Sequence, residues 1–404
     1  MSSSDPIAAL EIGTTNTVLA IGEPQPNGHI RITAIEPVAS AGVRKSQIVD
    51  MTQTTHTISG LLHRLADKSN YSIGQAYLIV SGTQIHTKVI KSQYVVDEGV
   101  VRDEHISEVN ARAYETGLPA EYEPIELAPL GYSLDDVNGI DAPKGMSGKL
   151  LSLRSLCIYG STARLTDARN AAATAHLEII ADQPYFAGTC AAEAVLTPRH
   201  KQNGALVIDL GGGTTSFTVW HTGHLVQAGV IGVGGDHVTG DIHTAFSISM
   251  RQAEQIKISD GCALVRANDG APRITVPDPM PGSKAATISR RALDTVVNAR
   301  LQELFTVVRD RLDQENNLHD LNAGVFLTGG GSSMPGIVEL ARTIFGCNAH
   351  IGSLVSEIEG LETHPHPAAC AACAGLLLIV QQENNRPPTF FESFRKAVGG
   401  IFRK

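Results

Sequence analysis

The chain has 404 residues, with 41 Asp plus Glu against 32 Lys plus Arg, and its formal charge of −9 is the wrong sign for a nucleic-acid binder. At roughly 100 to 200 residues per domain the length allows two to four domains, and a 42% apolar content suits a chain that buries real cores. Residues 368–380, the longest stretch without a polar side chain, number 13, short of the ~20 that a spanning helix needs. Residues 1–6 lack the basic flank and apolar run of a secretory signal, and the six cysteines need no oxidising compartment. The expected location is therefore the cytoplasm.

Residues 7–20 (IAALEIGTTNTVLA) read as a buried strand, a tight Gly-Thr-Thr turn and a second strand. A helix over 49–66 carries Ile58, Leu61, Leu62 and Leu65 on one face, and a strand follows over 75–81. From 85 to 160 the character changes to short strands such as 88–96, one helix over 103–116, and turns rich in proline and glycine, as in an inserted subdomain. Helices over 163–177 and 188–196, with a short strand over 178–181 between them, lead to residues 207–220 (VIDLGGGTTSFTVW). These repeat the grammar of the first hairpin. A helix from Asp236, a long one over 289–312 with Ser289 as N-cap, a strand over 324–328 and a helix over 335–345 complete the second half. Arg386-Pro387-Pro388 then ends the globular part, since consecutive prolines cannot continue a helix.

The two hairpins carry an acid at the same place, Glu11 and Asp209, separated by 209 − 11 = 198 positions. A spacing near half the chain means two similar α/β halves and not a solenoid, whose repeats recur every ~20 to 50 residues. Backbone N–H groups of a glycine turn can converge on phosphate oxygens because no side chain blocks the approach. Gly13, Thr14 and Thr15 in one turn, and Gly211, Gly212, Gly213, Thr214 and Thr215 in the other, are thus the candidate phosphate cradle. One such turn is commonplace in sheets without ligands; two, each preceded by an acid, are not. Glu11 and Asp209 suit holding the waters of a Mg²⁺ that bridges the phosphates, or capping their own turns.

Gly329, Gly330, Gly331 and Ser332, between a strand and a helix, offer exposed backbone to an adenosine. Glu254 and Lys257 share a helix face at i, i+3 and suit ribose hydroxyls or a solvated ion pair. A fourth glycine cluster, 232–235, opens a helix whose N-terminus favours anions. His364, His366, Cys370 and Cys373 are possible zinc ligands, although the alanines between them favour packing. Arg290, Arg291 and Arg300 share the long helix as a solvated face or as a binding patch.

In this order and spacing the motifs resemble the actin-like ATPase superfamily, and within it the FtsA family of bacterial cell division, over essentially the whole chain. ALEIGTT matches the first phosphate motif, VIDLGGGTTSFTV the second and FLTGGGSSMPGI the adenosine motif. AEQIKISDGCA is similar to the family's ribose-facing segment, and FAGTCAAEAVL and PHPAACAACAGLLL to its two hinge helices. Glu11 departs from the pattern, which usually has the shorter aspartate there. The resemblance implies a two-lobed actin-like ATPase fold with an inserted small subdomain and a C-terminal amphipathic helix, binding ATP and Mg²⁺ between the lobes. It divides the chain into a first core (1–84 and 161–204), the insert (85–160), a second core (205–243 and 314–380) with its small subdomain (244–313), a flexible linker (381–389) and the terminal helix (390–404).

The resemblance also places Glu193 where related proteins orient the attacking water. Phosphoryl transfer depends more on positioning and charge neutralisation than on a strong base, so ATP hydrolysis is expected to be slow at best. Arg290, Arg291 and Arg300 become contacts for the C-terminal peptide of the tubulin-like protein FtsZ, and the insert a surface for self-association into filaments and for later division proteins. The alternative is a small-molecule kinase of the same superfamily, which would use the same hairpins but has no use for a terminal membrane helix.

That helix is legible in the composition, because four of the ten phenylalanines fall in the last 15 residues. Phe390, Phe391, Phe394, Val398, Ile401 and Phe402 follow the spacing of an amphipathic stripe, with Arg395, Lys396, Arg403 and Lys404 beside it. With Glu392 the segment carries +3, leaving −12 for the rest. At 1.5 Å per residue it is ~22 Å long, suited to lying in a membrane interface, where each basic residue adds about 1 kcal/mol at an anionic leaflet. The expected site is the inner face of the cell membrane at the septum, held peripherally and more firmly once polymerised subunits present many helices together.

Overall fold

The computed structural model describes residues 5–68, 72–115, 117–180, 184–266, 273–276, 287–315 and 317–385. The first lobe opens with β1 (Ile7–Ile12), β2 (Asn16–Pro24), β3 (Ile30–Ala39), the small hairpin β4 (Val43–Arg44) and β5 (Gln47–Ile48), α1 (Met51–Lys68) and β6 (Gln75–Val80). The insert follows as β7 (Ile85–Val95), α2 (Asp103–Glu115), β8 (Tyr122–Leu134), β9 (Val137–Ile140) and β10 (Leu150–Ser161). The chain returns through α3 (Thr162–Thr174), β11 (Glu178–Ile179), β12 (Tyr185–Phe186) and the hinge helix α4 (Ala187–Val195), and α5 (Pro198–Asn203) leads out of it.

The second lobe contains β13 (Ala205–Leu210), β14 (Thr215–His221), β15 (His224–Ile231), α6 (Gly235–Phe246), α7 (Met250–Asp260), β16 (Arg273–Thr275), β17 (Thr287–Ser289), α8 (Arg290–Gln314) and β18 (Gly324–Thr328). After a 3-10 turn, Gly330–Ser333, come α9 (Ile337–Phe345), β19 (Ala349–Ile351), β20 (Ile358–Glu359) and α10 (Ala371–Asn385).

The two large sheets share one plan. In the first, β1 lies between antiparallel β2 and parallel β6, and β3 continues beyond β2. In the second, β13 lies between antiparallel β14 and parallel β18, with β15 beyond β14. A central strand is covered on both faces, which explains why β1 and β13 are nearly continuous apolar runs that do not alternate. Each run is broken at one place, Glu11 and Asp209, and those residues pair across their hairpins with Val18 and Ser216.

The insert is a four-stranded antiparallel sheet, β7-β10-β8-β9, with α2 packed on it through Val109 and Ala113. It leans on the second lobe, where the Thr87 hydroxyl donates to the Ala228 carbonyl at 3.1 Å and the His224 ring lies 3.1 Å from the Pro129 carbonyl. Helices α4 and α10 pack between the two lobes through small residues, Cys190, Ala191 and Ala194 on one and Ala371, Ala374 and Gly375 on the other.

Two expected boundaries move. The segment 314–380 does not belong wholly to the second core: β20 pairs in parallel with β3, and Leu376, Leu377, Leu378 and Val380 join the core of the first lobe. The expected linker also begins later than 381, because α10 continues to Asn385. Its last turns are held by Gln381, which donates to the Gln25 carbonyl at 3.1 Å, and by Glu383, which accepts from the Tyr185 hydroxyl at 2.9 Å. Ser289 does precede α8, but its side chain makes no capping bond. The helix expected from 335 starts at Ile337, since Gly336 takes a left-handed φ of 78°.

Candidate nucleotide site between the lobes

The turns that end β1 and β13 meet face to face. A Cβ on Gly212 would stand 1.7 Å from the Thr15 hydroxyl, and one on Gly213 would stand 2.4 Å from that of Thr14, so only glycine permits this approach. The Thr15 hydroxyl donates to Asp236 at 3.3 Å, which ties the first turn to the start of α6. Ser46, on the β4–β5 hairpin, donates its backbone N–H to the Thr14 hydroxyl at 2.8 Å, and its own hydroxyl lies 3.4 Å from those of Thr14 and Thr214. Deeper in the cleft the hydroxyls of Ser81 and Ser216 are 3.0 Å apart. A row of hydroxyls from both lobes therefore lines the junction. Thr215 is the exception, since its buried hydroxyl is spent on the Val233 carbonyl at 2.9 Å.

The fourth glycine cluster does not leave its helix terminus open as an anion site. Gly235 and Asp236 donate their backbone N–H groups to the carbonyls of Gly211 and Gly212 at 3.0 and 2.8 Å. The N-terminus of α6 is thus a brace for the second turn.

Beneath the turns stand Glu11 and Asp209. Burial, and then the Asp209 charge, push the Glu11 carboxyl up to about 7, and burial pushes Asp209 up to about 6. The Cys373 thiol lies 3.8 Å from Glu11, and the Thr328 hydroxyl donates to Asp209 at 3.3 Å. An oxygen-only set of two buried carboxylates and a nearby hydroxyl fits Mg²⁺. No three His, Cys, Asp or Glu side chains converge on a metal position among the described residues. The zinc alternative does not assemble: Cys370 lies 3.8 Å from the His364 ring while Cys373 is turned to Glu11.

The adenosine motif packs directly against the second turn. Gly329 has a φ of 77°, and a Cβ there would stand 2.6 Å from the Asp209 carboxylate. Gly331 lies against Leu210, whereas nothing approaches within 4 Å of a Cβ on Gly330. Ser332 is buried and its hydroxyl donates to the Gly329 carbonyl at 2.7 Å, so it shapes the turn. On α7, the Lys257 ammonium lies 2.6 Å from Glu254 and donates to the Thr239 hydroxyl at 2.9 Å and the Gly235 carbonyl at 3.2 Å. The predicted phosphate, metal and ribose residues are thus gathered around one junction. A cavity of about 890 Å³ lies elsewhere, between α9 and the crossover 351–368.

Glu193 is not brought to the turns. Its carboxylate is 2.5 Å from the Lys201 ammonium, and that ammonium sits 4.4 Å from the centre of the Trp220 ring. Trp220 is five residues along β14 from Thr215, which at 3.3 Å per residue is about 17 Å from the phosphate turn. The three arginines of α8 do not form one patch either. Nine residues at 100° per residue put Arg291 and Arg300 on opposite faces, about 180° apart. Arg290 pairs with Asp260 at 2.8 Å, and Arg300 is bidentate to Asp241 at 2.6 and 2.9 Å with Glu303 beside it, while Arg291 is exposed. The membrane-helix residues from Phe390 onward lie outside the described residues. Ser46, Ser81 and Ser216 were not foreseen, and isolated serines carry no sequence signal of their own.

Two topologically matched sheets with facing glycine-threonine turns define a two-lobed actin-like protein. Solved structures similar to it include the PilM–PilN type IV pilus biogenesis complex (TM-score 0.64, 16% identity, 93% of this chain and 98% of that one) and MreB5 of Spiroplasma citri bound to ADP (0.56, 16%, 94% and 98%). The MamK double helical filament is a third (0.52, 10%, 95% and 99%). Residues 206–374 match the family described as cell division protein FtsA, and residues 82–159 the SHS2 domain inserted in FtsA. The chain is 29% identical to the cell division protein FtsA of Pseudomonas aeruginosa over 352 residues, 87% of this chain and 84% of the relative. It is 28% identical to that of Escherichia coli K12 over 379 residues, 92% and 89%. The chain belongs to the FtsA family of cell-division proteins, and its insert is the SHS2 subdomain.

Proposed function

We propose that the chain binds ATP and Mg²⁺, assembles into filaments on the inner face of the cell membrane at the division septum, and anchors FtsZ filaments there. The observation that carries the nucleotide part is the contact between the Thr14–Thr15 and Gly212–Gly213 turns directly above Glu11 and Asp209. Here the hydroxyls of Thr14 and Ser46 from one lobe meet that of Thr214 from the other, donors of the kind a polyphosphate requires. Glu11 and Asp209 would hold the waters of Mg²⁺, which when bound supplies charge neutralisation to the phosphates. Glu254 and Lys257 would face the ribose, and the Gly329–Gly331 turn the adenine. The likeness to MreB5 bound to ADP supports the nucleotide, and that to the MamK filament supports assembly.

Family membership supports FtsZ as the partner. Arg291, whose guanidinium is exposed, is the first candidate contact for its C-terminal peptide, and Arg290 and Arg300 would join by exchanging their present carboxylates. Among the described residues no helix is long and apolar enough to cross a membrane, which leaves residues 390–404 as the proposed anchor. The anchor is tethered to the first lobe, since α10 ends there at Asn385.

Sedimentation with anionic vesicles tests this reading. With Mg²⁺ and ATP the full chain should pellet and carry FtsZ with it, and a chain ending at Asn385 should do neither. Equal pelleting of the two would contradict it.

A further inference from the structure

The β4–β5 hairpin turns through Lys45 and Ser46, with φ of 49° and 56°. Two successive side-chain-bearing residues in the left-handed region make a strained turn that glycine or asparagine would fill more easily. Contacts with both lobes hold it. Ser46 is bonded to Thr14 through its backbone N–H and lies beside Thr214 across the cleft, while the Gln47 amide donates to Thr83 at 3.3 Å and Gln84 at 3.2 Å.

This turn carries the Lys45 side chain to the second lobe, where a Cβ on Gly232 would stand 3.8 Å from the ammonium nitrogen. Gly232 opens the loop that braces the second phosphate turn. The Lys45 charge, after burial, is among the causes that hold His237 below its usual range, which fixes the ammonium near the start of α6. Two other cations near the site are committed: Lys257 to Glu254, and Arg300 to Asp241. Among the described residues Lys45 has no carboxylate at ion-pair distance. A lone ammonium on a flexible stem, held at the mouth of a phosphate cradle, is suited to a phosphoryl group.

We propose that Lys45 is the residue that reads the terminal phosphate of a bound nucleoside triphosphate, contacting it from the first lobe opposite the Gly232 loop of the second. The proposal rests on the nucleotide reading of the site. It makes the β4–β5 hairpin the element that distinguishes triphosphate from diphosphate, because only the triphosphate extends to the lysine. Lys45 is exposed and its replacement removes no core contact.

Calorimetric titration of the full chain with AMPPNP and with ADP, each with Mg²⁺, tests it. Loss of one charge-assisted bond should weaken AMPPNP binding to Lys45→Ala by about tenfold or more. ADP affinity should stay within about twofold, and Lys45→Arg, which keeps the charge, should hold AMPPNP within about threefold. Retained ADP binding also reports that the variant is folded. Unchanged AMPPNP affinity in Lys45→Ala, or equal weakening of both nucleotides, would overturn the assignment while leaving the site standing. An unaltered chain that binds neither nucleotide would overturn the site, and this proposal with it.

Discussion

The hydroxyls of Ser81 and Ser216, 135 positions apart in the chain, lie 3.0 Å from each other and bond the first lobe to the second. Ser81 follows the last residue of β6, and Ser216 pairs with Asp209 on the hairpin of the second turn, so the bond lies one strand away from the proposed metal site. A neutral hydrogen bond of this kind contributes about 1 kcal/mol net. A double-mutant cycle with Ser81→Ala and Ser216→Ala, followed by chemical denaturation, should give a coupling of about 0.5 to 1 kcal/mol. Strict additivity of the two changes would mean that the lobes are not joined there.

Stability should depend on pH through the two raised carboxyls. The folded chain keeps protons on Glu11 and Asp209 that the unfolded chain has released, from their ordinary values of 4.5 and 3.8 up to about 7 and about 6. Stability therefore falls as pH rises through that window and levels off above it. For Glu11 the displacement corresponds to about 3 kcal/mol in order of magnitude. Thermal unfolding followed from about pH 5 to pH 8 should show the decline, and Glu11→Gln should flatten it. Mg²⁺ with nucleotide should flatten it too, because a bound cation favours the charged carboxylates. A stability that rises over this range would contradict the assignment.

Glu193 should act as a brace between α4 and α5. Its partner Lys201 is itself packed on Trp220, so neutralising the acid leaves a partly buried ammonium without its counter-ion. Glu193→Gln should lower stability by about 1 to 2 kcal/mol, because one partner of a partly buried pair is removed. Nucleotide affinity and any ATP turnover should remain within about twofold of the unaltered chain, since no transition-state contact is lost. A loss of turnover by about tenfold or more, with stability intact, would return Glu193 to the reacting phosphate.

What could be read in advance was local. The two hairpins, the apolar face of α1 and the changed character of the insert are patterns within short windows, and Glu11 with Asp209 stood out because each interrupts an otherwise apolar strand. What could not be read was pairing at a distance. Nothing near Ile358 says that it will pair with Ile30 and draw the end of the chain into the first lobe. Nothing near Glu193 says that Lys201, across a turn, will claim it before any substrate does. Lys45 and Ser46 were silent for a different reason: their importance lies in a backbone conformation that their residue types do not advertise.

Nucleotide should bind where the two turns touch. Calorimetric titration of Mg²⁺ with ATP into the full chain, and into Gly213→Val, tests it most directly, because a Cβ at Gly213 already meets Thr14 at 2.4 Å. One ATP should bind per unaltered chain, dependent on Mg²⁺, and binding should be at least about tenfold weaker in the variant, whose turns are forced apart. Equal binding by both chains, or no binding by either, would contradict it.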